Sequence, residues 1–208
     1  MRNSIAAVAV LLVLVGCSDP TADKPAARVG PAEPPAPAAA TGVSYRIVDA
    51  STIEFVGSTA GSSNAGGFSE FHGEIVVTDG SVESATVSVT IDTTSLWSDD
   101  PRLTEHLKGE DFFDVEQFPT AGFHSTEIFR EGELFRIKGN LSLHGMTRSI
   151  DFPAGVTIED GRVAAQAEFV IRRFDFGIVY PGRRRNQLIR DEVLIKLDLI
   201  GVPAEIEP

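Results

Sequence analysis

Four histidines are the side chains best suited to metal binding or acid–base catalysis in this 208-residue chain. They are His72, His106, His124 and His144, and no two of them stand at the i, i+4 spacing of a helical zinc site. Exposed or internally hydrogen-bonded histidines are the commoner case, so the sequence favours no metal site. We expect His72 and His144 to point outward from the polar faces of strands, and His106 to serve helix packing or a local hydrogen bond.

Nucleophile and acid–base patterns are weak as well. The sequence contains no Gly-x-Ser-x-Gly, Walker A or dinucleotide-binding pattern. Ser142 and Ser149 have no identifiable base, and Glu110, Asp111 and Asp114 are more typical of solvated charge around a helix end than of an acid–base pair. A non-catalytic protein is therefore predicted, with a small hydrolase of the cell envelope as an alternative.

An arginine-rich span is the strongest local departure from the chain's formal net charge of −12. Within nineteen residues it holds Arg172, Arg173, Arg183, Arg184, Arg185 and Arg190. Because arginine forks match phosphate geometry, the first five are candidate ligands for a phosphate-bearing headgroup. The alternative is a surface loop that balances nearby acids such as Asp175 and Asp191, as surface charges usually do.

The acidic balance excludes one class of partner. Loss of Arg2 with the first sixteen residues would leave 17 basic and 30 acidic residues, a formal charge of 17 − 30 = −13. Such a surface repels the phosphate backbone of nucleic acid. No nucleic-acid partner is therefore expected.

One helical segment interrupts a chain that otherwise alternates, within residues 99–124. Leu103 and Leu107 stand four residues apart, Pro101 suits a first helical position, and Gly109 suits the end. Asp99 or Asp100 can cap this helix. A short helical insert carried on a β scaffold most simply plugs or covers something.

Alternation of apolar and polar residues predicts strands along most of the chain. It is regular over 84–92, 135–143, 150–158, 163–171 and 193–199, and weaker over 45–48, 52–58, 68–77 and 121–129. Turn signals separate these segments at 78–80, 131–132 and 159–161. Meandering strands with short hairpins predict an all-β fold, a closed antiparallel barrel of about eight strands with one short helical insert.

Alternation alone does not say which face is inside. A barrel that spans an outer membrane would alternate equally well, but it needs girdles of interfacial aromatic residues. Trp97 is the only tryptophan, and Tyr45 and Tyr180 are the only tyrosines, so this alternative is disfavoured. We therefore place the apolar face inward.

An inward apolar face makes the barrel interior the candidate binding site. An eight-stranded barrel lies near the threshold between a filled and an open interior. Inward Gly57, Gly73, Gly139, Ala165 and Ala167 leave volume there, although neighbouring phenylalanines could fill it. The predicted lining residues are Phe55, Phe71, Ile75, Val87, Val89, Ile91, Phe135, Ile137, Leu141, Leu143 and Phe169.

Phenylalanine dominates the aromatic content, with thirteen against one tryptophan and two tyrosines. Its side chain offers a large apolar area and no polar tip. A lumen lined in this way suits a hydrocarbon chain, since such a chain brings no hydrogen-bonding groups for the wall to satisfy. An ordinary phenylalanine-rich core is the alternative.

The N-terminal region predicts export and a membrane tether. Residues 1–16 form a signal peptide with an apolar core too short to span a bilayer, and Leu14-Val15-Gly16-Cys17 resembles a lipobox, in which Cys17 is acylated. An ordinary signal peptide is the alternative. Several acyl chains would hold the protein on a membrane. Cys17 is the only cysteine, so no internal disulfide is expected.

The remaining chain divides into three parts. Residues 17–42 are rich in proline and alanine and are predicted to be a disordered stalk. Residues 43–203 are the barrel domain, and 204–208 are a C-terminal tail. This length suits one domain.

Short motifs occur in a fixed order along the barrel domain. In chain order they are Gly67-Phe68, Phe71-His72-Gly73, the run 91–95, His106-Leu107-Lys108, Asp111-Phe112-Phe113-Asp114, Phe118-Pro119, Phe123-His124-Ser125, the run 139–147 and Phe174-Asp175-Phe176-Gly177-Ile178. Together, over residues 43–202, they resemble the YceI-like family. The resemblance implies a periplasmic protein with a lipocalin-like barrel that binds polyisoprenoid lipids. It implies no catalytic residues.

The resulting hypothesis is a lipid-anchored protein of the bacterial envelope that faces the periplasm and holds an isoprenoid lipid or quinone. Ser18 after the acylated position favours the outer membrane by sorting rules of some bacteria. No other cofactor is expected. The second hypothesis is a lipoprotein with a filled barrel in which residues 99–118 form a partner surface.

Overall fold

The structure is a computed structural model that describes residues 19–34, 42–182 and 186–204. These residues form twelve strands, one α-helix and short 3-10 turns. The strands are β1 (Arg28–Pro31), β2 (Val43–Ile47), β3 (Thr52–Ser58), β4 (Ser63–Phe68), β5 (Phe71–Val77), β6 (Ala85–Asp92), β7 (Leu96–Ser98), β8 (Thr120–Glu131), β9 (Leu134–Leu143), β10 (Met146–Glu159), β11 (Arg162–Arg172) and β12 (Glu192–Pro203), and the helix is α1 (Pro101–Lys108).

Eight of the strands close into a barrel. Their order around the wall is β10-β9-β8-β6-β5-β2-β12-β11, and β11 returns to β10 through pairs from Gly155–Gln166 to Glu159–Arg162. Every pairing around the wall is antiparallel. The predicted closed antiparallel barrel of about eight strands is therefore confirmed.

The wall divides on one side, where β2 ends and β3 begins. The same edge of β12 pairs with β2 near Gly201 and with β3 between Leu194 and Asp198. From β3 the sheet continues outward through β4 and β7. The sequence predicts one strand over 68–77 and misses most of β4, because residues 63–67 contain no large apolar side chain to reveal alternation.

The helical insert has the predicted limits. Asp100 is the cap, and its carboxylate accepts a hydrogen bond from the Arg102 amide at 2.8 Å. Pro101 begins α1, and Gly109 follows its last residue. Asp99 instead accepts a hydrogen bond from the Ala65 amide at 3.0 Å, which ties the start of the helix to β4.

An N-terminal arm, residues 19–34, is part of the barrel wall. β1 pairs antiparallel with β10 from Arg28–Asp151 to Pro31–Arg148, and Ala26 bridges to Val170 of β11 in parallel. The arm thus fills the gap between β10 and β11 beyond the point where those two strands pair directly. Ala27 and Val29 pack against the interior cluster, a group of buried side chains that includes Phe152, Phe169, Ile171 and Phe176. The predicted disordered stalk over 17–42 is therefore wrong for residues 19–34.

Ion pairs fix the arm at both ends. Asp19 pairs with Arg190, and Lys24 pairs with Glu168. At the other end Glu33 binds Lys138 at 2.8 Å, and this hydrogen bond raises the pKa of Lys138. The composition misled the prediction because a segment too poor in apolar residues to fold alone can still add one strand to an existing sheet edge through its backbone hydrogen bonds.

Candidate functional site

The barrel encloses an apolar cavity of about 560 Å³. Nine of the eleven predicted lining residues contact it: Phe55, Ile75, Val87, Val89, Ile91, Ile137, Leu141, Leu143 and Phe169. Six of them are buried, and Val87, Leu141 and Leu143 are only partly buried although they point inward, because the space beside them is unfilled. The apolar face of the barrel therefore surrounds an open lumen.

Phe71 and Phe135 do not line this cavity, which corrects the sequence-based expectation. Phe135 is buried, and the Arg130 guanidinium carbon lies 4.3 Å from its ring centre, so its ring belongs to the packed wall near the β8–β9 hairpin. Phe71 begins β5 beside the division of the wall and lines a smaller cavity of about 250 Å³ with Phe68 and Trp97. The alternation of apolar and polar residues predicts which face of the wall a side chain lies on, but not how far along the barrel axis it lies.

The inward glycines do not contribute equally to the open volume. At Gly139 an added Cβ would lie 2.4 Å from the Phe123 ring, and at Gly73 it would lie 2.7 Å from the Ile47 side chain. These two sites are filled by bulky neighbours, as the alternative proposed. At Gly57 an added Cβ would meet no atom within 4 Å, and Gly57, Ala165 and Ala167 line the cavity.

Several further lining residues were not singled out from the sequence. Phe123 and Phe152 lie on the inward faces of predicted strands, so alternation could have found them. The Phe152 and Phe169 rings stack at 4.0 Å within the wall. Phe112, Phe113 and Ile178 come from loops, where no periodicity signals an inward direction.

The cavity opens at one end of the barrel, the mouth, where β3 ends and β12 begins. Lining residues there, such as His106, Leu188 and Arg190, are exposed, whereas Ile75 and Val163 at the other end are buried. α1 covers part of the mouth, with Leu103, His106 and Leu107 facing the cavity. The helical insert thus covers the cavity, as its position in the sequence suggested.

His106 joins α1 to the loop after β11. Its ring centre lies 5.2 Å from the Phe112 ring and 5.5 Å from the Tyr180 ring, and both contacts are edge-on. Its Nε2 lies 3.4 Å from Asp111 Oδ2. These contacts are of the packing and hydrogen-bonding kind expected for His106.

The other histidines lie apart from one another. His72 and His124 are exposed, and His124 Nε2 lies 3.4 Å from Ser88 Oγ. His144 is half-buried and does not point outward as expected, because it lies in the β9–β10 turn with a φ of 50° and its Nδ1 lies 3.3 Å from the Phe176 carbonyl oxygen. Across the ranges that the structure describes, no three His, Cys, Asp or Glu side chains come together as a metal site.

Arg173 is held by internal partners and is not available as a headgroup ligand, whereas Arg172 is exposed and makes a surface ion pair. Arg172 pairs with Asp175 at 3.0 Å, which raises the pKa of Arg172. Arg173 lies at the mouth and is 5% exposed. Its guanidinium donates to the carbonyl oxygens of Ile178 at 2.8 Å and Arg190 at 3.1 Å and to the Asn186 side chain at 2.8 Å. Burial lowers the pKa of Arg173.

Two groups of predicted site residues lie outside the described residues. They are Arg183, Arg184 and Arg185, and the acylation candidate Cys17. Their roles stay predictions. Among the residues that the structure does describe, no helix has the length and apolar character needed to span a bilayer.

Comparison with known proteins shows which family the chain resembles. A model of the YceI-like domain matches residues 45–200. A UPF0312 protein of Pseudomonas putida is 32% identical over 133 residues, 61% of this chain and 69% of that protein. A UPF0312 protein of Yersinia pestis is 33% identical over 92 residues, 44% of this chain and 48% of that protein.

Solved structures share the fold at low identity. BcnA of Burkholderia cenocepacia has a TM-score of 0.67 and 22% identity, covering 72% of this chain and 95% of BcnA. A polyisoprenoid binding domain from Saccharophagus degradans, described as implicated in plant cell wall breakdown, has a TM-score of 0.62 and 16% identity, covering 79% of this chain and all of that domain.

Proposed function

The chain belongs to the YceI-like family, and from this premise we propose that it is a non-catalytic protein that holds an isoprenoid lipid in the barrel lumen, for transport or storage. The observation that carries the proposal is the apolar cavity of about 560 Å³ that opens at the mouth. Its volume lies within the range of about 300–1,000 Å³ common for small-molecule sites. A filled barrel, the second hypothesis, does not agree with this cavity.

The chemistry of the wall supports a hydrocarbon ligand. Side chains from β3, β6, β9, β11 and β12 present alkyl and phenyl groups to the cavity. An isoprenoid tail has no polar groups, so it needs no hydrogen-bond partner from this wall. Transfer of apolar surface from water into such a lumen is favourable by roughly 25 cal/mol per Å². The polyisoprenoid binding domain from Saccharophagus degradans shares this fold, which supports the same ligand class here.

The polar end of the ligand would lie at the mouth. Of the described arginines there, Arg173 is buried against carbonyl oxygens, whereas Arg172 and Arg190 are exposed and make surface ion pairs with Asp175 and Asp19. A charged headgroup would draw on the exposed arginines and on Arg183, Arg184 and Arg185, whereas a neutral quinone would need none of them.

Replacing those three arginines with alanine separates the two headgroups. If they hold a phosphate, the triple variant should bind a polyprenyl pyrophosphate at least several-fold more weakly, since charge-assisted hydrogen bonds are lost, while quinone affinity stays constant. Titration of the purified protein with both lipids measures the difference. Equal effects on the two lipids would remove these arginines from the binding site.

We also propose that the protein acts from a membrane surface of the bacterial envelope, facing the periplasm, with the outer membrane favoured over the inner. The proposal rests on the apolar N-terminal run that ends at Gly16-Cys17, and on the single cysteine of the chain. Acyl chains on Cys17 would provide the two or more lipid signals that stable anchoring requires.

The lumen proposal is tested by filling the cavity. Ala165 lines it, whereas Ala164 is exposed on the opposite face of the same strand, so Ala165→Trp and Ala164→Trp form a matched pair. Native mass spectrometry should find co-purified lipid on the wild type and on Ala164→Trp, and roughly tenfold less or none on Ala165→Trp, a difference of about 1.4 kcal/mol or more.

Gly57→Leu is a second filling variant if Ala165→Trp does not fold, because its Cβ meets no neighbour within 4 Å. A wild-type protein that carries no lipid and binds none when titrated would contradict the proposed function. Equal lipid occupancy in Ala165→Trp, Ala164→Trp and wild type would place the ligand outside the lumen.

A further inference from the structure

The N-terminal arm leaves the barrel wall beside the mouth. Asp19, its first described residue, pairs with Arg190, and Arg190 lines the cavity at the mouth. The Arg190 amide also donates to the Ser58 carbonyl oxygen at 2.9 Å, which ties this point to the end of β3. The chain before residue 19 therefore departs from the mouth end of the barrel.

The course of the arm keeps this exit point in place. After Asp19 the arm descends along the wall to Lys24, which pairs with Glu168 in the middle of β11, and then turns back toward the mouth as β1. Cys17 lies only two residues before Asp19, a span of at most about 7 Å. An acyl group on Cys17 would hold the mouth close to the membrane, with no long stalk between them.

The surface around the mouth bears apolar side chains on the loop that follows β11. Val179 is 54% exposed and Leu188 is 61% exposed. Exposure alone does not select this end, because Leu134 in the far β8–β9 hairpin is 44% exposed as well. The N-terminal arm, which leaves the wall beside the mouth, identifies the mouth end as the one that faces the membrane.

The chemistry of the membrane partner follows from charge. The mouth region carries charges of both signs: Asp99, Asp100 and Glu105 lie before and on α1, and Arg183, Arg184 and Arg185 stand in the sequence between Val179 and Leu188. The whole chain has a formal net charge of −12. The net charge of the chain would repel an anionic bilayer, and the mixed charges around the mouth match headgroups that carry both signs. Zwitterionic phospholipids would accept Val179 and Leu188 at the interface without that repulsion.

We propose that the mouth docks on a bilayer of zwitterionic phospholipid through Val179 and Leu188, held there by the arm. The inference rests on the proposed acylation of Cys17. It deepens the proposed function, because a lumen that opens onto the bilayer would let an isoprenoid tail move between membrane and barrel without crossing water.

Site-specific fluorescence in phosphatidylcholine vesicles tests the proposal with the full acylated chain. Acylation blocks the only native thiol, so Leu188→Cys and Leu134→Cys each provide one site for an environment-sensitive dye. The two sites lie at opposite ends of the barrel, about 30 Å apart along a ten-residue strand. We expect a lipid-borne nitroxide to quench the dye at residue 188 several-fold more strongly than at residue 134.

A linker variant tests the role of the arm. Inserting a long Gly-Ser segment between Ser18 and Asp19 leaves the described wall intact and frees the barrel from the membrane. Quenching at residue 188 should then fall toward the value at residue 134. Equal quenching at both sites in the native chain, or unchanged quenching at 188 after the insertion, would overturn the proposal.

The outcome is distinguishable from failure of the proposed function. The quenching measurement needs no ligand in the lumen, whereas lipid occupancy is measured separately by native mass spectrometry. Quenching at residue 188 on a protein with an empty lumen would uphold docking and contradict lipid storage. A protein that does not sediment with the vesicles contradicts the acyl tether, and the docking proposal falls with it.

Discussion

Arg173→Ala should lower the free energy of unfolding by about 3–5 kcal/mol, because it removes a buried cation that makes several charge-assisted hydrogen bonds. Arg173 is 5% exposed, and its guanidinium donates to the carbonyl oxygens of Ile178, Ile189 and Arg190 and to Asn186. Without it, these acceptors lose their partner at the base of the mouth. Denaturant unfolding of both proteins measures the loss.

Arg172→Ala is the matched control. Arg172 precedes Arg173 in sequence, its side chain is exposed, and among the described residues it pairs with Asp175. Exposed pairs of this kind contribute about 0–1 kcal/mol. Arg173→Lys should recover only part of the stability, since an ammonium cannot reproduce the planar fork. Similar losses for Arg172→Ala and Arg173→Ala would contradict the structural role assigned to Arg173.

Phe176→Ala should be about as damaging, with a loss of about 3–5 kcal/mol for a fully buried phenylalanine. Phe176 is 0% exposed and belongs to the interior cluster with Phe152, Phe169 and Ile171. Phe174 lies two residues earlier in the same 3-10 turn and is 43% exposed, so Phe174→Ala should cost about 1 kcal/mol or less. Thermal unfolding that shifts equally in the two variants would refute the assignment.

Both predictions concern the turn that follows β11, in which Arg173 directly precedes the 174–178 motif. Gly177 has a φ of 71°, and an added Cβ there would lie 2.9 Å from Met146 Sδ. The Arg148 side chain donates to the Asp175 carbonyl oxygen at 3.2 Å. The 174–178 motif is a turn fixed by its backbone and by the buried side chains of Phe176 and Ile178, and it places the loop that follows β11 over the cavity.

The sequence predicted the parts of the fold that are determined locally. Strict alternation located β6, β9, β10, β11 and β12, because one face of each strand is apolar and the other is solvated. The helix was found with its cap and its end, since Asp100, Pro101 and Gly109 act within one turn of it. The same alternation identified nine of the eleven predicted lining residues.

Features that depend on distant contacts were not predictable from pattern. The arm forms a strand only because β10 and β11 leave an edge open about 120 residues later in the chain. Arg173 resembled a phosphate ligand in sequence, and its role as a buried donor depends on the carbonyl groups of Ile178, Ile189 and Arg190, which fold around it. Phe71 was misplaced because the division of the wall beside it leaves no local signal.

The way the wall is completed has a kinetic consequence. β1 pairs with β10, and β2 pairs with β12, so two of the contacts that complete the wall join segments more than a hundred residues apart. Bringing such distant segments together costs loop entropy before any native contact offsets it. Refolding of this chain should therefore be slow for its size, on the millisecond-to-second scale of domains dominated by non-local pairing.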